Sequence, residues 1–113
     1  MLVAFSVAPS GTGRADGSVA DAVAAAVRVV RESGLPNRTD AMFTTIEGTW
    51  DECFDVVKRS TEALEPFGSR ISLVLKADIR PGFEGELDAK LERLEAAVEA
   101  SAGLAATEVV GNS

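Results

Sequence analysis

The chain opens on Leu2–Ala8, a short run of apolar, β-branched and aromatic residues closed by Pro9. Its length and uniform apolarity predict a buried strand. Ser10–Gly17 carries Gly11, Gly13 and Gly17 with no periodicity and reads as a loop. Ser18, with Asp21 three residues on, is placed as the N-cap of a helix. In that helix Val19, Val23, Val27 and Val30 recur at three- and four-residue spacing, and Gly34 ends it as a C′ residue. Pro36–Gly48 turns to Thr, Met, Phe and Ile around Asp40-Ala41, which predicts a strand, a tight connection and a second strand. Thr49, followed by the acidic Asp51-Glu52, opens a second helix. Its residues Cys53, Val56, Val57, Ser60 and Leu64 trace one face up to Pro66-Phe67-Gly68.

Ile71–Ile79 alternates with a period of two. Ile71, Leu73, Leu75, Ala77 and Ile79 share one face, while Ser72, Val74, Lys76, Asp78 and Arg80 share the other. Beyond Pro81-Gly82 and Gly85, a stripe of Leu87, Leu91, Leu94 and Val98 predicts a third helix that closes the fold. The order strand-helix-strand-strand-helix-strand plus a helix is the split βαβ plan, an α+β, ferredoxin-like sandwich with an additional C-terminal helix. One domain is expected over residues 1–102 and a flexible tail over 103–113.

In that plan both main helices cover one sheet face, and the first strand lies between the third and the fourth. If Val3, Phe5 and Val7 point to the helices, Ala4, Ser6 and Ala8 point away. On the third strand the bulkier Met42 and Ile46 suit the core, which turns Phe43, Thr45 and Glu47 outward. Together with Ser72, Val74, Lys76, Asp78 and Arg80 these residues give an outer face of hydroxyls, charges and an aromatic. A plain solvated face would carry mostly long charged side chains, and a plain dimer face mostly aliphatics. Glu47, before a glycine at a strand end, is placed to accept a hydrogen bond from a cationic or protonated heterocycle held against Phe43. The competing assignment for Glu47 is a salt bridge to Lys76 or Arg80.

Charge and composition narrow the function classes. Eighteen acidic against eleven basic side chains give a net charge of −7, opposed to the phosphate-neutralising surface of a nucleic-acid binder and to an anionic membrane surface. No stretch approaches the ~20 apolar residues of a membrane span, and the N-terminus lacks the pattern of a secretory signal, so a cytoplasmic protein is expected. With 113 residues, 46% of them hydrophobic, the chain has material for one core, and a domain this short gains from association with copies of itself. No histidine and the single Cys53 leave no zinc ligand set, no Ser-His-Asp triad and no Cys-His pair. The glycines Gly11, Gly13 and Gly17 match neither a P-loop nor a dinucleotide fingerprint, and no cofactor is expected. Trp50 is taken as a packing anchor at the sheet edge, with ligand stacking as the lesser alternative.

Ser6-Val7-Ala8-Pro9, Ser18-Val19, Ser33-Gly34-Leu35, Met42-Phe43-Thr44-Thr45-Ile46-Glu47-Gly48 and Lys76-Ala77-Asp78-Ile79-Arg80 together resemble the small thiamine-binding protein family, from about Leu2 to Val98. The Thr-x-Ile-Glu-Gly segment followed by Trp50-Asp51-Glu52 is the specific part. The resemblance implies a ferredoxin-like fold, assembly as dimers and commonly tetramers, and binding of thiamine or its hydroxymethylpyrimidine moiety without catalysis. It implies that Thr44 and Glu47 help form the site, with Ser6 and the strand end of Asp78 and Arg80 nearby. The chain departs from the family pattern at Asn37, Ala41 and Phe43, so the pocket wall differs there. Strand alternation puts Thr44 on the helix side, against the weight the family motif gives it, and a bulge before Gly48 would reconcile the two. Two other classes remain open: an assembly module whose polar face pairs subunits, and an enzyme using Glu47 or Asp78 as general base on a thiamine precursor.

Overall fold

The computed structural model describes residues 1–11, 19–82 and 84–111, with side chains through residue 102. The elements are β1 (Leu2–Ser10), α1 (Val19–Glu32), β2 (Asn37–Thr39), β3 (Thr44–Glu47), α2 (Trp50–Ala63), a 3-10 turn (Glu65–Phe67), β4 (Arg70–Asp78) and α3 (Glu86–Gly111). The sheet order is β2-β3-β1-β4, antiparallel throughout. This is the expected α+β plan with β1 between β3 and β4. The N-cap assigned to Ser18 and the glycines Gly13 and Gly17 lie outside the described residues.

The core lies between one sheet face and the first two helices. Val3 and Phe5 of β1 and Ile46 of β3 pack with Val30 of α1 and with Cys53, Val56 and Val57 of α2. Leu75 and Ala77 of β4, opposite Phe5 and Val3 in the register, add to the same cluster. The predicted face of α2 is the observed one, because Cys53, Val56, Val57, Ser60 and Leu64 are all buried. Thr49 caps that helix with a full capping box: its side chain accepts from the Glu52 amide, and the Glu52 carboxylate accepts from the Thr49 amide at 3.0 Å. Gly34 has φ of 77°, the left-handed conformation that ends α1 as expected.

Three expectations are corrected. The buried face of α1 is Ala22, Ala26 and Val30, whereas Val19 and Val23 are exposed. Alanine allows close approach, and Ala22 and Ala26 pack with Leu64 in a second cluster that the valine stripe would have held apart. Met42 is 77% exposed rather than in the core, because β3 begins only at Thr44 and Met42 sits on the turn closed by the Asp40 amide donating to the Phe43 carbonyl at 2.8 Å. The stripe of α3 closes little of the fold: Leu87 is buried, but Leu94 and Val98 are 57% and 55% exposed.

The first turns of α3 lie instead across one end of the outer sheet face. Asp88 pairs with Arg38 of β2 at 3.3 Å, and Lys90 pairs with Asp78 of β4. Both strand residues face outward by register, since Arg38 lies opposite Thr45 and Asp78 opposite Leu2. The face left open by α1 and α2 is thus partly roofed where β1 starts.

Gly68 and Ser60 mark two tight places in the core layer. A β-carbon at Gly68 would stand 2.6 Å from the Ser10 carbonyl oxygen, so the connection into β4 passes β1 only as glycine. Ser60 is fully buried and its hydroxyl has no hydrogen-bond partner among the described residues. An unsatisfied buried hydroxyl opposes folding. Ser60→Ala is therefore expected to stabilise the fold by about 1 kcal/mol, read as a rise of roughly 4 °C in thermal unfolding. An unchanged or lower Tm would mean that the hydroxyl is satisfied.

Candidate functional site

β3 reaches Glu47 in regular register: Phe5 lies opposite Thr44, Ala4 opposite Thr45, Val3 opposite Ile46 and Leu2 opposite Glu47. No bulge interrupts this ladder, so Thr44 and Ile46 stay on the helix side while Thr45 and Glu47 face out. The carboxylate of Glu47 nevertheless lies in a sheltered place, with the residue only 8% exposed. Its Oε2 accepts a hydrogen bond of 2.7 Å from the amide of Glu86, the first residue of α3. A helix N-terminus leaves its first amides without partners and favours negative charge, so Glu47 serves α3 as a remote cap. Neither expected ion pair of Glu47, to Lys76 or to Arg80, forms among the described residues, and the Arg80 guanidinium lies 4.0 Å from Glu86 instead. The Glu47 Oε1 carries no hydrogen bond to any described residue.

Glu47 opens into a cleft of about 720 Å³ at the end of the sheet where β1 starts, β3 ends and β4 gives way to α3. It is lined by Gly48, Thr49, Trp50 and Glu52 around the start of α2, by Ile79–Gly82 with Glu84 and Gly85 between β4 and α3, and by Met1, Leu35 and Pro36. Gly48 owes its place to packing. Its φ is not in the left-handed range, but a β-carbon there would press on Leu35, Glu52 and Cys53 at 3.3–3.4 Å. Glu47, Glu52 and Glu84 bring three carboxylates to the lining, against Arg80 and the Met1 amine, which donates to the Gly48 carbonyl at 2.8 Å. The Thr49 backbone amide holds the Glu52 carboxyl below its ordinary pKa, so that charge persists into mild acid. Burial raises the Cys53 thiol, which is inert packing beneath the cleft, as expected.

The other residues picked from the sequence distribute over the molecule. Arg80 shares the cleft with Glu47. Asp78, on the outer face, is tied to Lys90, whose hydrogen bond and charge lower its pKa. Thr45 lies on that face between Ala4 and Arg38. Ser6, Phe43 and Thr44 line a separate hollow of about 160 Å³ between α1 and the β2–β3 turn, where the Thr39 and Thr44 hydroxyls approach to 3.4 Å. The seven residues do not converge on one site.

Trp50 was misjudged as a packing anchor. It is 56% exposed on the cleft wall, its ring 4.6 Å from that of Phe54 and tilted by 33°. Its spacing from Cys53 and Val57 puts it on the core face of the helical wheel, but as the first residue of α2 it stays outside the buried core. Only the capping signal at Thr49 marked it as a helix start. Glu84 gave no pattern in the sequence and Gly85 only a break before the third helix, since their place in the cleft depends on how the β4–α3 connection meets Glu47.

The chain matches the sequence profile of the thiamine-binding protein family over residues 3–95. It is 50% identical over 96 residues to a UPF0045 protein of Mycobacterium bovis, an alignment that covers 84% of this chain and 91% of that protein. A UPF0045 protein of Synechocystis is 35% identical over 102 residues, covering 89% and 82% of the two chains. Among solved structures, a Bacillus cereus domain of unknown function, DUF77, superposes with a TM-score of 0.66 at 32% identity, over 75% of this chain and 82% of that one. A Thermotoga maritima protein proposed to serve thiamine biosynthesis or salvage superposes with a TM-score of 0.65 at 26% identity, over 80% of this chain and 96% of that one.

The bond between Glu47 and the α3 amide is directly testable. In Glu47→Ala the amides of Glu86 and Leu87 are expected to lose roughly ten- to a hundredfold of their protection from hydrogen exchange, whereas Glu47→Gln, which keeps an acceptor oxygen, retains most of it. Equal exchange in the wild type and in Glu47→Ala would show that the carboxylate does not hold the helix start.

Proposed function

The chain belongs to the thiamine-binding protein family, and from that premise we propose that it binds thiamine or its hydroxymethylpyrimidine moiety, without catalysis, in the cleft beside Glu47. The observation that carries this reading is the state of Glu47: a sheltered carboxylate with one oxygen committed to a backbone amide and the other directed to no described partner. A protonated or amino-substituted pyrimidine supplies the N–H donors such an oxygen lacks, and a charge-assisted bond in a sheltered place is the strong kind. The carboxylates of Glu52 and Glu84 bias the same cleft toward cations, which suits a thiazolium ring. The name of the Thermotoga structure, which ties that protein to thiamine biosynthesis or salvage, supports the same reading. The ligand here is cargo or signal rather than a cofactor.

Calorimetric titration with thiamine and with hydroxymethylpyrimidine tests the proposal. Binding is expected to weaken about tenfold or more in Glu47→Gln, which removes the charge while sparing the α3 cap. The absence of both binding heat and a thermal shift with either compound would refute it.

We further propose that the chain self-associates as a dimer or tetramer. Leu94 and Val98 on α3 and Val74 on the outer sheet face are exposed, and apolar surface of this kind is ordinarily covered. Light scattering is expected to give a mass that is a multiple of 11.8 kDa, and Leu94→Glu combined with Val98→Glu to reduce it. A monomer in the wild type would overturn this part of the proposal without touching the ligand.

A further inference from the structure

A ring held against Glu47 needs an aromatic partner, and the one expected from the sequence is out of reach. Phe43 lies four residues back along the chain, about 13 Å away at ~3.3 Å per strand residue, and it lines the other hollow. Trp50 lines the same cleft as Glu47. It stands at the first position of α2, where the capping box of Thr49 and Glu52 fixes the helix start, and Phe54 one turn on supports its ring at 4.6 Å. An indole held from behind, 56% exposed, and set on a wall with three carboxylates nearby has the two properties that select a planar cation: a π-face and a negative surrounding field.

We propose that Trp50 is the specificity-determining residue of the cleft: its indole stacks on the cationic heteroaromatic ring of the ligand while Glu47 accepts the ligand's N–H. The inference rests on the Glu47 cleft being the binding site. It adds the ligand class that the cleft prefers, aromatic cations over neutral rings of the same shape and over cations without a ring. The supporting residue is Phe54, and the acidic lining supplies the charge preference.

Trp50 is the single tryptophan of a chain with no tyrosine, so fluorescence excited where indole dominates the near-ultraviolet absorption reports on the cleft alone. The wild type is titrated with thiamine, with the pyridinium cation N-methylnicotinamide (methylated on the ring nitrogen), with neutral nicotinamide and with tetramethylammonium, each followed by fluorescence and by calorimetry. The two aromatic cations are expected to bind at least about tenfold more tightly than nicotinamide and tetramethylammonium, with a saturable change in emission. Trp50→Leu is expected to lose about tenfold in calorimetric affinity for both, and Trp50→Phe to keep most of it. Circular dichroism checks that each variant is folded, and Phe54→Leu, which leaves the indole but removes its support, is expected to weaken binding less than Trp50→Leu.

Thiamine bound as tightly by Trp50→Leu as by the wild type, with Glu47→Gln impaired, would overturn the role of Trp50 and leave the proposed site standing. Equal affinity for N-methylnicotinamide and nicotinamide would overturn the charge preference. If neither thiamine nor N-methylnicotinamide binds the wild type, both the role of Trp50 and the proposed site fail together. Should N-methylnicotinamide bind through Trp50 while thiamine does not, the role of Trp50 stands and the thiamine reading fails.

Discussion

The pairing of β1 with β3 is the constraint from which the rest follows. With Val3 opposite Ile46 and Leu2 opposite Glu47, neighbouring residues of one four-residue strand serve opposite layers. Ile46 is sealed into the core with Cys53 and Val56, and Glu47 points away from it toward the cleft. A slip of one residue would bury a carboxylate among valines and expose the isoleucine, so the hydrophobic core itself enforces the position of the acid. β4 on the other side of β1 brings Asp78 to the same end, and with it the connection that folds back over Glu47.

Glu47 then joins two tasks in one side chain. As acceptor for the Glu86 amide it fixes where α3 begins, and as a lining residue it gives the cleft its most sheltered charge. The capping box at Thr49 does the equivalent for α2, whose first residue, Trp50, lines the same cleft. Both helix starts are thus tied to residues at and just after the end of β3, which makes Thr44–Glu52 the segment where fold and site are least separable.

What could be read from the chain, and what could not, divides along physical lines. The alternation of Ile71–Ile79 and the apolar face of α2 were legible because each is a local period matched to one neighbouring layer. The face of α1 was not, because a valine stripe and an alanine stripe compete on the same helix, and the choice depends on how closely Leu64 must approach. The leucines of α3 promised closure, but a stripe states only that a face is apolar, not that this chain covers it. Glu47 was legible as a candidate, since strand alternation turns a carboxylate at the end of β3 away from the core. Its partner was not, because the Glu86 amide arrives from thirty-nine residues away in the chain. The exposure of Trp50 was not legible either, because a place just past a strand end does not tell whether the rest of the chain covers it.

The attachment of α3 has a mechanical side. A 26-residue helix is about 39 Å long at ~1.5 Å per residue, and its described ties to the rest of the chain gather in its first turns, around Glu86, Asp88 and Lys90. Such a helix is a lever with its fulcrum at Glu47. A tilt of roughly 10° at the base carries the far end through about 7 Å by the same rise per residue. Any change of angle at its base is therefore enlarged along a rod more than half as long as the molecule's greatest extent of 64 Å.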